Sequence, residues 1–294
     1  MTIEHAHAHS LPKPWGVVDP RPWSHAGNDA NTIGEIWYER PDSTAVPPSL
    51  LLKLLFTNEP LSIQVHPDDA YAQSIGLPNG KIEAWYILSA APEAKVALGL
   101  KRHINPEQLR GAIDDGSISD LVVWQAAHPG DTIFVAAGTI HAIGAGLVIA
   151  EIQQRSDATF RLFDHGRGRE LHIENALAVA NAGPADFRVT PTRLTDTRTL
   201  LVSNSHFTFE RIDLAPNSAW RLEAKHETWL LVLSGSARAA SFDLTTGDAV
   251  FAQADHINIR TGRNGLAGRC GAAVPFTSES KDWRSDNVEI ARLL

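Results

Sequence analysis

The chain has 294 residues, 43% of them hydrophobic and 20% charged, with a formal net charge of −8. That length allows two domains of ordinary size or one large one, with ample material for a core. The acidic balance argues against nucleic acid as the main partner, but a few cations in a pocket can still hold an anionic metabolite.

Near the N-terminus His5, His7 and His9 alternate with alanine. They read as a disordered terminus, with a metal-binding tail as the alternative. Pro12, Pro14, Pro20 and Pro22 then surround Trp15 and Trp23, a pattern of extended chain packed on the body by its tryptophans. Leu50 to Phe56 is apolar except for Lys53, as in a buried strand. Further strands are expected over 61–66, 82–88, 95–100, 131–136, 146–154 and 158–163. Three helices interrupt them. Asp68 to Ile75 begins with acidic residues, and 106–126 begins with Asn105 as cap and Pro106 in the first turn. Residues 172–182 space Ile173, Leu177 and Ala180 helically before Gly183-Pro184.

The stretch from Gly183 to about Arg198 reads as a boundary between domains 1–185 and 186–294. Beyond it, strands are expected over 206–213, 219–223, 228–233, 248–252 and 256–260, with little helical signal. The fold class is mainly β, a sandwich or jelly roll, with short helices decorating the first domain. No apolar stretch reaches the roughly 20 residues that span a bilayer. The segment Met1-Thr2-Ile3-Glu4-His5 lacks a secretory pattern, and the single Cys270 excludes an intrachain disulfide. A cytoplasmic protein is the expectation.

The chemistry concentrates in a few positions. In Leu61-Ser62-Ile63-Gln64-Val65-His66 the alternation puts Ser62, Gln64 and His66 on one strand face and the apolar residues on the other. A lone histidine in a β protein is usually just hydrogen-bonded, so His66 gains weight from Gln64 beside it and from Pro67, which fixes the chain after it. Glu83 lies in the otherwise apolar strand Ile82-Glu83-Ala84-Trp85-Tyr86-Ile87-Leu88, where a carboxylate must be paired or metal-bound. A salt bridge to an arginine is the alternative. His141 follows a turn, a strand and a second turn across Gly130 to Ile140. Gln64, His66, Glu83 and His141 together offer an amide oxygen, two imidazoles and a carboxylate, a set that suits Zn²⁺ or another first-row divalent ion. Zinc is the expected metal, because no redox partner is evident.

The segment Gly130–His141 resembles the second cupin motif, with Ala136 and Ala145 where Pro and Asn are usual. Gln64-x-His66 replaces the His-x-His pair of the first. Taken with Pro60–Asp69, Gly80–Tyr86, Gly138–Ala142, Glu151–Gln154 and Ser156–Asp164, the chain resembles the type I mannose-6-phosphate isomerase (phosphomannose isomerase) family in its short bacterial form, over residues 11–182. Phe160 and Phe163 replace the more usual tyrosines, and Arg155 stands where asparagine is common.

The resemblance implies two tandem cupin domains, one zinc ion on Gln64, His66, Glu83 and His141, and a catalytic arginine at Arg161. The residues also favour Arg161: it alternates with Thr159 and Phe163, and a buried-strand arginine needs an anion. A structural ion pair with Glu151 or Asp157 is the alternative. The implied reaction interconverts mannose 6-phosphate and fructose 6-phosphate through an enediol. Lys81 and Glu151 are the candidate proton carriers, with metal-bound hydroxide a third. The rival readings are an isomerase of an unphosphorylated or different sugar and a non-catalytic sugar-binding cupin. The second domain resembles a degenerate, metal-free cupin: Asp255 and Asn258 stand where glycine and the ligand histidine are expected, and His226 and Glu227 do not restore the pair.

Overall fold

The computed structural model describes residues 2–24, 32–186, 189–273 and 288–293, with side chains described up to residue 266. The first half contains β1 (Thr2–His5), β2 (His7–Val17), β3 (Ile33–Glu39), β4 (Leu50–Thr57), β5 (Ile63–Val65), α1 (Asp69–Ser74), β6 (Glu83–Ala90) and β7 (Lys95–Leu100). There follow α2 (Pro106–Asp114), α3 (Ile118–Leu121), β8 (Val122–Ala126), β9 (Thr132–Val135), β10 (His141–Ile143), β11 (Leu147–Gln154), β12 (Phe160–Phe163) and α4 (Ile173–Val179). The second half contains β13 (Thr192–Arg193), β14 (Arg198–Ser203), β15 (Phe207–Leu214), β16 (Ala219–Ala224), β17 (Thr228–Ala239), β18 (Phe242–Thr245), β19 (Ala249–Gln253), β20 (Asp255–Ala273) and β21 (Val288–Leu293).

Among the described residues these strands form three sheets: β2-β3-β4-β11-β6-β9, β12-β5-β10-β7-β8, and a large sheet from β1 and β13–β21. The first two face each other. Leu55, Trp85, Ile87 and Ile149 of one meet Val96, Leu98 and Ile143 of the other in a shared core. Helices α2, α3 and α4 cover the outer face of the five-stranded sheet, packing Leu109, Ile118 and Ala176 against Ile63, Val65 and Ala142. The outer face of the six-stranded sheet packs Leu52, Leu54 and Ile152 against Phe209, Trp229 and Phe251 of the second half. Strand β4 therefore has apolar neighbours on both faces, which is why its sequence runs apolar without alternating. Each buried leucine there contributes roughly 1.5–3 kcal/mol. The large sheet encloses its own core around Leu222, Leu230, Val232 and Val250.

Three expectations are corrected. The histidine-rich terminus is strand, not a disordered tail: β1 pairs with β19 and β2 with β3, and Glu4 forms an ion pair with Arg40. Thr2–His5 thus joins the sheet of the second half. Trp15, in contrast, is buried as its proline-flanked setting suggested. The helix expected over 106–126 is two, α2 ending at Asp114 and α3 at Leu121, and Val122-Val123-Trp124 then pairs with β7. Asn105 does cap α2, through a capping box with Gln108. Phe163 does not share the face of Arg161. A register shift between them turns Phe163 toward the helix-covered core. No helix among the described residues is long and apolar enough to cross a membrane.

Candidate metal centre and its cavity

The gap between the first two sheets is apolar at one end and polar at the other. At the polar end Gln64 and His141 are direct cross-strand partners on β5 and β10, and His66 follows β5 by one residue. Gly138 N donates to His66 O at 2.8 Å, and the positive φ of Gly138 makes the turn that delivers His141. Glu83 enters from the opposite sheet at the start of β6. Gly80 lets that strand begin close to the β5 loop: a Cβ there would sit 2.4 Å from the Asp68 carbonyl carbon. The metal-ligating atoms of His66, Glu83 and His141 lie within 4.8 Å of one another.

The hydrogen bonds fix the imidazole tautomers. His66 Nδ1 lies 2.8 Å from Ala158 O, and His141 Nδ1 lies 2.8 Å from Thr139 O. A carbonyl only accepts, so Nδ1 carries the proton in each ring and Nε2 presents a bare lone pair. Burial, followed by the Lys81 charge, pushes His66 down to about 3, and burial lowers His141 as well. Both rings are neutral. His66 Nε2 nevertheless faces Glu83 Oε1 at 2.6 Å with no proton to join them, and Lys81 Nζ lies 2.8 Å from the same oxygen. Two acceptors that close call for a cation beside them, and besides the Lys81 ammonium a divalent ion fits this donor set. Burial opposes the Glu83 charge, but Lys81 at 2.8 Å outweighs it and holds the carboxyl well below its usual range. Trp85 Nε1 donates to the other oxygen, Glu83 Oε2, at 2.7 Å. Gln64 presents its Nε2 to His141 Nε2 at 3.3 Å while its Oε1 accepts from Ser62. Ligation through the amide oxygen requires the amide turned over.

Around this cluster lies a cavity of about 220 Å³. Lys81, Glu151 and Arg161 all line it together with Gln64 and Glu83, while His66 and His141 of the ligand set are not part of its lining. Burial works against the Lys81 charge, but Glu83 and Glu151 raise its pKa above the ordinary value. Burial and then Glu83 push Glu151 up to about 7, while Lys53, 3.5 Å away, pulls it down. Arg161 pairs with Gln64 across β12 and β5 and donates from Nη1 to Glu170 O at 2.7 Å. None of the ion pairs among the described residues uses Arg161, and its Nε is buried without a partner. The alternative pairing with Glu151 or Asp157 is not formed. Leu61, expected on the face of Ile63, packs instead in the core between the sheets.

Sequence reasoning passed over Lys53, Glu35, Lys13 and Arg169, which also line the cavity. Lys13 and Lys53 bracket Glu35 at 3.3 and 3.9 Å. The signal for Lys53 was present: it is the one charge in an apolar strand, and it falls opposite Glu151 on β11.

Two facing sheets with a buried imidazole–carboxylate cluster between them define a β-sandwich protein whose side chains could hold a divalent metal ion. No protein-family model matches the chain. It is 34% identical over 227 residues to a probable mannose-6-phosphate isomerase of Bacillus subtilis (strain 168), covering 70% of each protein. It is 38% identical over 200 residues to the mannose-6-phosphate isomerase of Streptococcus mutans, covering 64% of this chain and 62% of that one. In fold it resembles the crystal structure of the Bacillus subtilis mannose 6-phosphate isomerase, with a TM-score of 0.79 at 23% identity over 92% of this chain and 99% of that one. A mutant phosphomannose isomerase of Salmonella typhimurium gives 0.73 at 16% identity, over 94% and 100%. The chain belongs to the mannose-6-phosphate isomerase family, and it is an isomerase.

Proposed function

We propose that the chain interconverts mannose 6-phosphate and fructose 6-phosphate through an enediol, using one zinc ion held by Gln64, His66, Glu83 and His141. The observation that carries the reading is the close approach of two acceptors, His66 Nε2 and Glu83 Oε1, buried beside His141, with Glu83 lining a cavity that Lys81, Glu151 and Arg161 also line. When bound, the ion supplies Lewis-acid stabilisation of the negative charge that builds on the sugar oxygens.

The chain's own groups do the rest. The proton that moves between C2 and C1 needs an acceptor poised near neutrality. Glu151 meets that need, with Oε1 buried and 3.5 Å from Lys53. Lys81, hydrogen-bonded to Glu83, is the second candidate, as a protonated donor toward a sugar oxygen. Arg161 has no carboxylate partner and aims its charge at the enediolate or the phosphate. The two halves are read as tandem cupin units, 1–185 and 186–294, the second without a metal, and the setting as cytoplasmic. The family relatives, the three-sheet architecture and the lone cysteine support that reading.

The test compares turnover of mannose 6-phosphate and of mannose before and after chelation, together with Arg161→Ala. Loss of turnover in both perturbations is expected. Full activity in either would overturn the mechanism.

A further inference from the structure

The cavity gathers two guanidinium groups at one end, and they are held differently. Arg161 donates to a backbone carbonyl and meets no acid. Arg169 is anchored by Asp164: its Nε donates to Oδ2 at 2.8 Å, and its Nη2 donates to Oδ1. That contact occupies only the Nε/Nη2 edge of the fork. The end-on Nη1/Nη2 edge is left for a second acceptor.

Arg167 shares Asp164 but is fully engaged elsewhere. Its Nη1 donates to Pro60 O at 2.9 Å and lies 3.7 Å from Glu59, and it does not line the cavity. Asp164 is nearly buried, with its side chain 4% exposed, while Arg169 is 34% exposed. Arg169 therefore lies on an exposed part of the cavity wall, whereas Glu83, which lines the same cavity, is buried. Arg167 and Arg169 share Asp164, with Glu59 beside Arg167 alone, and Arg161 has no acid of its own, so positive charge accumulates beside Arg161 where an anion has access.

We propose that Arg169, fixed by Asp164, grips the phosphate of the substrate at this exposed part of the cavity wall, beside Arg161. This places the sugar's C1–C2 end toward Glu83 and Glu151 and makes Arg169 the residue that separates phosphorylated from plain sugars. Asp164 is a positioning residue: it touches no substrate and sets the direction of the Arg169 fork. The inference rests on the sugar-phosphate reading above for the identity of the ligand, but the site itself is defined by charge and geometry.

The experiment uses the full-length, metal-loaded protein and two probes, inorganic phosphate by calorimetric titration and mannose 6-phosphate by steady-state kinetics. Arg169→Gln is expected to weaken phosphate binding and to raise KM for mannose 6-phosphate by the same factor, roughly tenfold or more, with a smaller change in kcat. Arg169→Lys keeps the charge and loses the fork, so it should fall between. Asp164→Asn should shift KM in the same direction without loss of metal. If Arg169→Gln binds phosphate within twofold of the parent, the proposal fails. It also fails if kcat and metal content fall together while KM holds, because that pattern marks a structural ion pair. A parent protein that binds phosphate but does not isomerise mannose 6-phosphate would sink the functional reading and leave this site standing.

Discussion

The two halves of the molecule carry the same local arrangement and use it in opposite ways. In the first, Glu83 and Trp85 share a face of β6, and Trp85 Nε1 donates to Glu83 Oε2 at 2.7 Å. In the second, Glu227 and Trp229 lie two apart at the start of β17, and Trp229 Nε1 donates to Glu227 Oε1 at 3.1 Å. Both tryptophans are fully buried. Glu83 points into the gap of its own sheet pair, where the facing strands supply histidines. Glu227 points out of its own core, toward the first half, where it accepts from Ser49 N, Ser49 Oγ and Leu50 N at 2.6, 2.7 and 2.9 Å. A Glu-x-Trp pair on a strand is thus a pre-oriented carboxylate, and the facing element decides whether it meets histidines or clamps a backbone.

The contrast can be broken by substitution. The largest effect is expected for Glu83→Gln, which removes the charge that offsets a divalent ion. Turnover should fall roughly a hundredfold to a thousandfold and metal content should drop with it, as read by elemental analysis of the same sample. Glu227→Ala should act on stability instead. It strands two backbone donors and an indole N–H in a buried interface, at a cost of about 2–4 kcal/mol, visible as a lowered denaturation midpoint with metal content intact. Metal loss in that variant would merge the two roles.

Smaller changes sharpen the comparison. Trp85→Phe and Trp229→Phe each delete one hydrogen bond to a carboxylate, worth about 1.5–3 kcal/mol. Only the first should also weaken metal affinity, by roughly 10–100-fold in a competition titration with a chelator. Equal metal affinities in the two variants would show that Trp85 does not orient Glu83. Ser62→Ala should be the mildest, removing one hydrogen bond to Gln64 Oε1 and changing metal affinity severalfold at most.

What could be read beforehand followed from local periodicity. The alternation around Gln64 and His66 gave their shared face, and the glycine-bounded strand before His141 gave its approach. Glu83 stood out because a carboxylate interrupts an apolar strand. What could not be read depends on register between distant strands. Lys53 meets Glu151 only because β4 pairs with β11, and Glu35 joins them only through β3. The pairing of β1 with β19, across most of the chain, leaves no local trace in the histidine-alanine repeat. Arg169 lies in a loop where no periodicity applies, and its role comes from Asp164, five residues earlier. The face of Phe163 was misread because a bulge adds a residue and flips the alternation.

On the proposed function, one metal ion held in the first half makes this chain an isomerase. Metal stoichiometry and mannose 6-phosphate turnover, measured on the same purified protein before and after chelation and after re-addition of zinc, test this. One ion per chain, loss of turnover when it is removed, and recovery when zinc returns are expected. Undiminished turnover in protein shown to be metal-free would contradict it.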